Sequence, residues 1–357
     1  MHIKLFIPGP VEVRPEVLKK MATPMIGHRS KGASELQRSI SNKLRKLFYT
    51  ENEILLSTTS GSGLMEGAIR SCTVKKAAVF SVGAFGNRWY DMAKNNNIEA
   101  DKFEGEWGTA VKVEDVEKVL STGDYDLITI THNETSTGVM NPIEEIAEVV
   151  KKYPDVVFCV DAVSSAGGTK IEVDKLGIDI CITSSQKCLG LPPGIATCTF
   201  SEKAIKRAEQ VKNRGTYLDL LSLYKYIKKK DYQYPSTPSL SHMYALDYQL
   251  NYIINEEGLE NRFKRHLDMA KIARNWAIKN FEMFPDEGYY SNTLTNISNV
   301  KDINVAALNK ELAKRGFNIS NGYGKLKEKT FRIAHMADCQ IWELEELLSN
   351  LNEILVL

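Results

Sequence analysis

Along residues 35–210 short apolar runs alternate with segments whose apolar positions return every three or four residues. Leu36, Ile40, Leu44 and Leu47 share one helical face, which predicts an amphipathic helix. Glu53–Ser57 and Ala77–Val82 are brief and apolar and are bounded by turn residues, as buried strands are. Tyr125–Thr131, Val156–Val160, Ile178–Thr183 and Ile195–Phe200 read the same way. Between two of them Pro142 opens a helix at a first-turn position, with Ile143, Ile146 and Val150 on one side. Near-continuous apolar strands separated by helices predict a mostly parallel sheet covered on both faces, an α/β architecture. After Tyr234-Pro-Ser-Thr-Pro238 the pattern changes. Residues 241–284 read as long helices, and the rest mixes short strands with amphipathic helices over Val305–Arg315 and Trp342–Leu355. This is the pattern of a smaller α+β unit.

Composition adjusts this picture only slightly. The chain has 357 residues, 43% hydrophobic and 25% charged, with a net charge of +1. That balance speaks against a nucleic-acid-binding protein, which carries a basic excess. The six cysteines show no C-x-x-C pair and no metal-ligand spacing. The expectation is a reduced, cytoplasmic protein without a disulfide framework. No signal-peptide pattern and no apolar run long enough to span a bilayer is visible, so no membrane partner is expected.

Ligands of open α/β sheets gather beyond the carboxyl ends of the strands, and three unusual segments fall there. Asp161 ends the apolar strand Val157-Phe-Cys-Val160. It could be a turn or a helix cap, or a carboxylate facing a cation such as a protonated pyridine nitrogen. Lys187 follows the next strand, just before a stiff Pro192-Pro-Gly194 turn. Alone it reads as a loop lysine. Desolvated, it becomes a nucleophile toward carbonyl carbon. Pyridoxal phosphate needs such a lysine together with an acidic partner for its ring nitrogen. The third segment, Ser57-Thr-Thr-Ser-Gly-Ser-Gly63, joins a strand to a helix and could cradle a phosphate. It lacks the third glycine of a dinucleotide fingerprint and the Gly-Lys-Ser/Thr of a P-loop.

The ordered set of motifs resembles the class V, fold-type I, PLP-dependent aminotransferases, close to the alanine–glyoxylate and serine–pyruvate group. The motifs are Pro8-Gly-Pro10, Gly27-His-Arg29, Ser60-Gly-Ser-Gly63, Gly83-Ala-Phe-Gly-Asn-Arg-Trp89 and His132-Asn-Glu-Thr-Ser-Thr-Gly138. They continue through Asp161-Ala-Val-Ser-Ser165, Ser185-Gln-Lys187, Pro192-Pro-Gly194, Tyr234-Pro-Ser-Thr-Pro238 and Arg332-Ile-Ala-His-Met336. The resemblance implies a seven-stranded, mostly parallel sheet in a large cofactor domain (15–245), an N-terminal arm (1–14) reaching the active site, and a small C-terminal domain (246–357).

It also implies roles for individual residues. Lys187 would hold the cofactor aldehyde covalently and then act as general base, and Asp161 would keep the ring nitrogen protonated. Phe85 would stack on one face of the ring and Val163 on the other. Ser60, Gly61, Ser62 and Gln186 would bind the phosphate, with Tyr234 and Thr237 reaching it from the neighbouring subunit of a homodimer. Thr135 or Ser136 would sit near the cofactor hydroxyl, and His132 and Glu134 would be structural supports. Arg332 would grip the substrate carboxylate, with Gly9, His28 and Arg29 nearby. Where Ala334 and Ala337 stand, the family commonly has glycine.

The activity implied is ping-pong transfer of an amino group, via pyridoxamine phosphate, from alanine or serine to glyoxylate or pyruvate. Three alternatives remain open on the sequence. One is a class V transaminase with another donor, such as 2-aminoethylphosphonate. Another is a cysteine desulfurase, for which Ser320–Thr330 offers no cysteine. The last is a catalytically silent relative.

Overall fold

The computed structural model describes residues 2–357. Its strands in chain order are β1 (Lys4–Phe6), β2 (Glu53–Ser57), β3 (Ala77–Ser81), β4 (Ala100–Glu104), β5 (Leu127–Thr131), β6 (Asn133–Glu134) and β7 (Val139–Met140). They continue with β8 (Val157–Asp161), β9 (Ile180–Ser184), β10 (Ala196–Phe200), β11 (Glu282–Met283), β12 (Leu294–Ser298), β13 (Phe317–Asn321) and β14 (Thr330–Ala334). Seven of them form one sheet in the order β2-β10-β9-β8-β5-β3-β4. All run parallel except β10, which is antiparallel to both of its neighbours. Every residue of β2, β3, β5, β8, β9 and β10 is buried, as expected for strands covered on both faces.

The one strand of this sheet that the apolar pattern misses is β4. Its sequence Ala-Asp-Lys-Phe-Glu alternates exposed and buried positions because it lies at the sheet edge. Charges there discourage pairing with another chain.

A second sheet has the order β1-β13-β14-β12-β11. The amino-terminal β1 pairs in parallel with β13, which brings the first residues of the chain into the C-terminal sheet. Its core is Phe6, Ile297, Phe317, Ile319, Phe331 and Ile333 against Trp276, Leu344 and Leu347 of the covering helices. The long helical stretch is interrupted: a helix over Leu240–Asn251 passes into a π-turn at Tyr252–Glu257, and a new helix runs from Leu259 to Asn280.

One buried cation ties this second helix to the large sheet. Arg262 is fully buried, and its Nη1 donates to Glu257 and Asp338 at 2.6 and 2.8 Å. Its Nε donates to the carbonyl of Gly167 (2.9 Å) and its Nη2 to that of Cys188 (2.7 Å), the residue after Lys187. The guanidinium therefore braces the lysine turn from behind. Replacing Arg262 with Ala leaves two buried carbonyls without their donor and takes one donor from each of two carboxylates, which keep Arg14 and Arg265. We expect a loss of roughly 3–5 kcal/mol of unfolding free energy, measured by denaturant titration of the variant against the parent.

Candidate active site

Strands β8 and β9 are parallel neighbours, with Asp161 opposite Ile182. Asp161 is the last residue of β8, and Lys187 comes three residues after β9 ends. The strand order places both at one end of the sheet. Both line a cavity of about 180 Å³ together with Ser60, Gly61, Ser62, Met65, Phe85, Arg88, Asn133, Thr135, Val163, Ser164 and Gln186.

The lysine is not an exposed loop residue: only 9% of it is accessible. Burial lowers its pKa from 10.5 to about 8, with the Arg332 and Arg88 charges adding to the effect and Cys188 and Asp161 opposing it. Its Nζ donates to the carbonyl of Pro8. Gly9 leaves room for it, since a Cβ there would come within 2.8 Å of the Nζ. Asp161 is 4% exposed, and burial raises its pKa to about 6 against the opposing hydrogen bond from Val163 N–H (2.9 Å). Among the described residues that N–H is its only donor. A buried carboxylate so thinly partnered is costly unless a cation faces it.

The segment after β2 forms a cup. Ser60 precedes the twelve-residue helix Gly61–Cys72, and its hydroxyl makes no capping bond. The first N–H groups of a helix lack intrahelical partners and favour an anion. An added Cβ at Gly61 would lie 2.6 Å from Val163 Cγ2, so glycine is what lets the helix start approach Val163. Arg88 donates to Ser62 Oγ (2.9 Å) and lies 4.7 Å from the Phe85 ring centre, bringing a cation that forms no ion pair among the described residues.

Phe85 is held by its own helix terminus. The buried Glu134 carboxylate accepts from the N–H groups of Phe85 (3.1 and 3.3 Å) and Gly86 (2.9 Å), and from Ser136 N–H and Oγ–H at 3.1 and 2.6 Å. An anion at a helix N-terminus is favourable, and here it also aims the ring. Thr135 lines the cavity, with its Oγ1 2.6 Å from Ser164 Oγ, whereas Ser136 is spent on Glu134 and Ala84. His132 is fully buried, and desolvation lowers its pKa to about 4, so it is neutral.

Arg332 stands just behind the cavity lining. Its Nη1 donates to the carbonyl of Thr135 (3.1 Å), and its Nε and Nη2 donate to the carbonyl of Asn321 (3.1 and 2.9 Å). A guanidinium has five N–H donors, so one remains on each terminal nitrogen, the number a carboxylate can accept in bidentate fashion. Burial lowers its pKa to about 10, which leaves it charged at neutral pH.

Besides Gly9 and Arg332, which adjoin it, four expected residues do not line this cavity. Arg29 donates to the carbonyls of Tyr234 and Pro235, His28 is half-buried, Thr237 is exposed, and the Tyr234 hydroxyl accepts from Thr58 N–H at 3.2 Å. Four lining residues escaped the sequence reading of the site: Met65, Arg88, Asn133 and Ser164. Arg88 lies three residues after Phe85, so it shares a helix face with the ring, a spacing that marks it in retrospect. Asn133 is buried, and its Nδ2 donates to Thr293 Oγ1 (2.9 Å) and the Ser164 carbonyl (3.2 Å), while its Oδ1 has no protein partner.

An anion cup, an unpaired buried carboxylate, an orphaned amide oxygen and a desolvated amine around one hollow fit a phosphorylated pyridine aldehyde. No helix among the described residues is long and apolar enough to cross a membrane.

Residues 15–327 match the family model described as aminotransferase class-V. The chain belongs to the class-V aminotransferases. An uncharacterized aminotransferase of Methanocaldococcus jannaschii is 42% identical over 94% of this chain and 88% of its own length. The serine–glyoxylate aminotransferase of Arabidopsis thaliana is 30% identical over 98% of this chain and 90% of its own. Among solved structures, an alanine–glyoxylate aminotransferase from Nostoc sp. superposes with a TM-score of 0.93 at 27% identity, covering 99% of this chain and 96% of the other. The family's fold is that of the PLP-dependent enzymes, and the chain is an aminotransferase.

The depressed amine pKa has a signed consequence for the cofactor-free protein. An amine with a lower pKa folded than unfolded binds fewer protons in the native state between the two values, so stability rises with pH across that window. Relative to Lys187→Met, the parent should gain unfolding free energy as pH climbs from about 8 to 10.5. Paired denaturant titrations along that range check the sign; a flat difference contradicts the burial argument.

Proposed function

We propose that this chain binds pyridoxal 5′-phosphate and transfers the amino group of a small amino acid, alanine or serine, to a small 2-keto acid, glyoxylate or pyruvate. The observation that carries the reading is the pairing of buried Asp161 and Lys187 around one ring-sized cavity, with Arg332 directly behind it. Ser60, Gly61, Ser62 and Gln186 would hold the phosphate, helped by the Arg88 charge. Phe85 and Val163 would face the two sides of the ring, and Thr135 and Asn133 would lie by its polar edge.

When bound, the cofactor supplies an electron sink for the charge left on a substrate carbon that loses a proton. The protein's groups do the rest. Asp161 would face the ring nitrogen and keep a proton on it, which would give its buried charge a partner. Lys187 Nζ would hold the cofactor through its aldehyde and, as a free amine, would take the proton from the substrate α-carbon. An amine with a pKa near 8 is suited to that step at neutral pH. Arg332 binds the carboxylate through its two free N–H groups and fixes the α-carbon within reach of the lysine. Donor and acceptor would use this one site in turn, so the first product leaves before the second substrate enters.

Arg29 bonds the carbonyls of Tyr234 and Pro235, with the Tyr234 side chain buried and Thr237 exposed nearby in the chain. We assign Tyr234 and Thr237 to the phosphate of the partner protomer in a homodimer with shared sites, with His28 and Arg29 alongside. A phosphonate donor would need a second cation near the substrate. Arg29 is occupied with those carbonyls, which favours the small-acid reading.

A matrix of amino acids against keto acids tests the substrate class. Alanine or serine with glyoxylate or pyruvate should give the highest kcat/KM. Lys187→Ala should lower kcat by roughly a thousandfold or more and remove the yellow absorption of the purified protein. Arg332→Gln should raise KM for the amino acid by roughly 10- to 100-fold while the yellow colour stays. A Lys187→Ala protein with parental turnover sinks the proposal.

A further inference from the structure

The connection between β13 and β14 runs beside Phe85 and Arg332, and nothing in the sequence motifs gives it a task. It carries Asn321-Gly-Tyr-Gly324, with Tyr323 37% exposed. The Tyr323 ring centre lies 5.5 Å from that of Phe85, tilted by 41°, and 5.6 Å from Arg332 Cζ. This ring therefore touches both the aromatic wall of the cavity and the carboxylate-binding arginine. A little further on, Lys325 Nζ sits 4.1 Å from the centre of the Trp107 ring, which ties the connection to the segment after β4.

The connection is braced rather than loose. Asn321 Oδ1 accepts from Gly322 N–H (2.7 Å) and Glu328 N–H (2.8 Å), and its Nδ2 donates to Glu328 Oε1. Gly322 N–H donates to the Thr330 carbonyl (2.8 Å), and Leu326 N–H to that of Tyr323 (3.0 Å). A side chain at Gly322 would collide with the Leu326 carbonyl, so glycine is required for the turn to close. The same Asn321 supplies the carbonyl that orients Arg332 through two bonds. Ring and arginine are thus set by one rigid turn.

An acid with its carboxylate on Arg332 and its α-carbon at Lys187 lies along the line between those side chains. Phe85 lines the same cavity as Lys187, and the Tyr323 ring stands between Phe85 and Arg332 as a neighbour of both. We infer that Tyr323 is a specificity-determining residue of this site: its ring fills the space into which a longer substrate side chain would extend, and restricts the enzyme to acids whose side chain is hydrogen, methyl or hydroxymethyl. The inference rests on the transaminase reading for the identity of the reaction, but the carboxylate site it describes is the chain's own.

The test uses Tyr323→Ala and Tyr323→Phe in the purified, cofactor-supplemented protein. The first measurement is kcat/KM with pyruvate, 2-oxobutyrate and 2-oxopentanoate. Tyr323→Ala should raise the ratio of the longer acids to pyruvate by about tenfold or more, the scale on which a pocket discriminates a methylene. Tyr323→Phe keeps the ring and should leave the ratio within about twofold of the parent. A ratio unmoved in Tyr323→Ala overturns the inference while leaving the transaminase reading intact.

The second measurement needs no turnover. Acetate, propionate, butyrate and valerate are titrated calorimetrically into parent and variants. Parental affinity should drop beyond propionate, and the drop should vanish in Tyr323→Ala alone. Affinity that changes with chain length identically in parent and Tyr323→Ala overturns the inference. If no keto acid is turned over by the parent, the transaminase reading fails, and this titration still decides the role of Tyr323.

Discussion

Two ionisable groups of opposite sign, taken out of water at the ends of adjacent parallel strands, set the terms for the rest of this structure. Removing a carboxylate and an amine from solvent costs several kcal/mol per ion, and the mutual attraction recovers that only with good geometry. Here the two are close enough to sense each other's charge, yet Asp161 has one N–H donor and Lys187 one carbonyl acceptor. Each group therefore keeps a pKa displaced toward its neutral form. A fold that merely needed stability would have replaced both with apolar residues. Retaining them makes sense if a polar, phosphorylated ring completes both sets of partners.

The surroundings hold that costly pair in place. Arg262 braces the backbone next to Lys187, and Glu134 caps the helix that presents Phe85. Thr293 and Asn296, from the second sheet, bond the 133–137 segment and the Ser164 carbonyl. The small sheet thus reaches the cavity through hydrogen bonds to backbone that is already fixed, and Arg332 arrives on the same terms through Thr135. Several buried polar atoms around this junction have no protein partner, Asn133 Oδ1, Asn296 Oδ1, His132 Nδ1 and His335 Nδ1 among them, and of these four residues Asn133 is the one that lines the cavity.

How much of this was legible in the sequence follows from which forces write themselves into local pattern. Strands buried on both faces read as apolar runs, so β2, β3, β5, β8, β9 and β10 were visible, while the edge position of β4 let it take Asp101, Lys102 and Glu104 and hid it. The reversal of β10 leaves no such trace, because an apolar strand looks alike in either direction. Lys187 and Asp161 were legible as charges at apolar strand ends. The part of Tyr323 was not, since it depends on pairing between β13 and β14 and on a ring from a helix far away in sequence. Arg29 and Tyr234 contact one another across the chain rather than within a motif, and sequence spacing says nothing of that.

The burial that tunes the lysine also decides which chemistry its neighbours are denied. Cys188, adjacent to Lys187, is fully buried, and desolvation pushes its thiol up to about 11, so at neutral pH it is not a thiolate. Cys339 is likewise raised by burial, to about 12, and donates weakly to the Gln340 carbonyl. The turn between Asn321 and Glu328 holds no sulfur and is locked by its own hydrogen bonds. Sulfur transfer needs an ionisable thiol on a segment free to reach the substrate, and this chain offers neither. Desolvation acts in opposite directions on the two kinds of group: it lowers the amine's pKa to about 8, so that a useful neutral, nucleophilic fraction exists near neutral pH, and it keeps a thiol protonated and inert. One dry strand end thereby selects proton transfer at carbon over attack by sulfur.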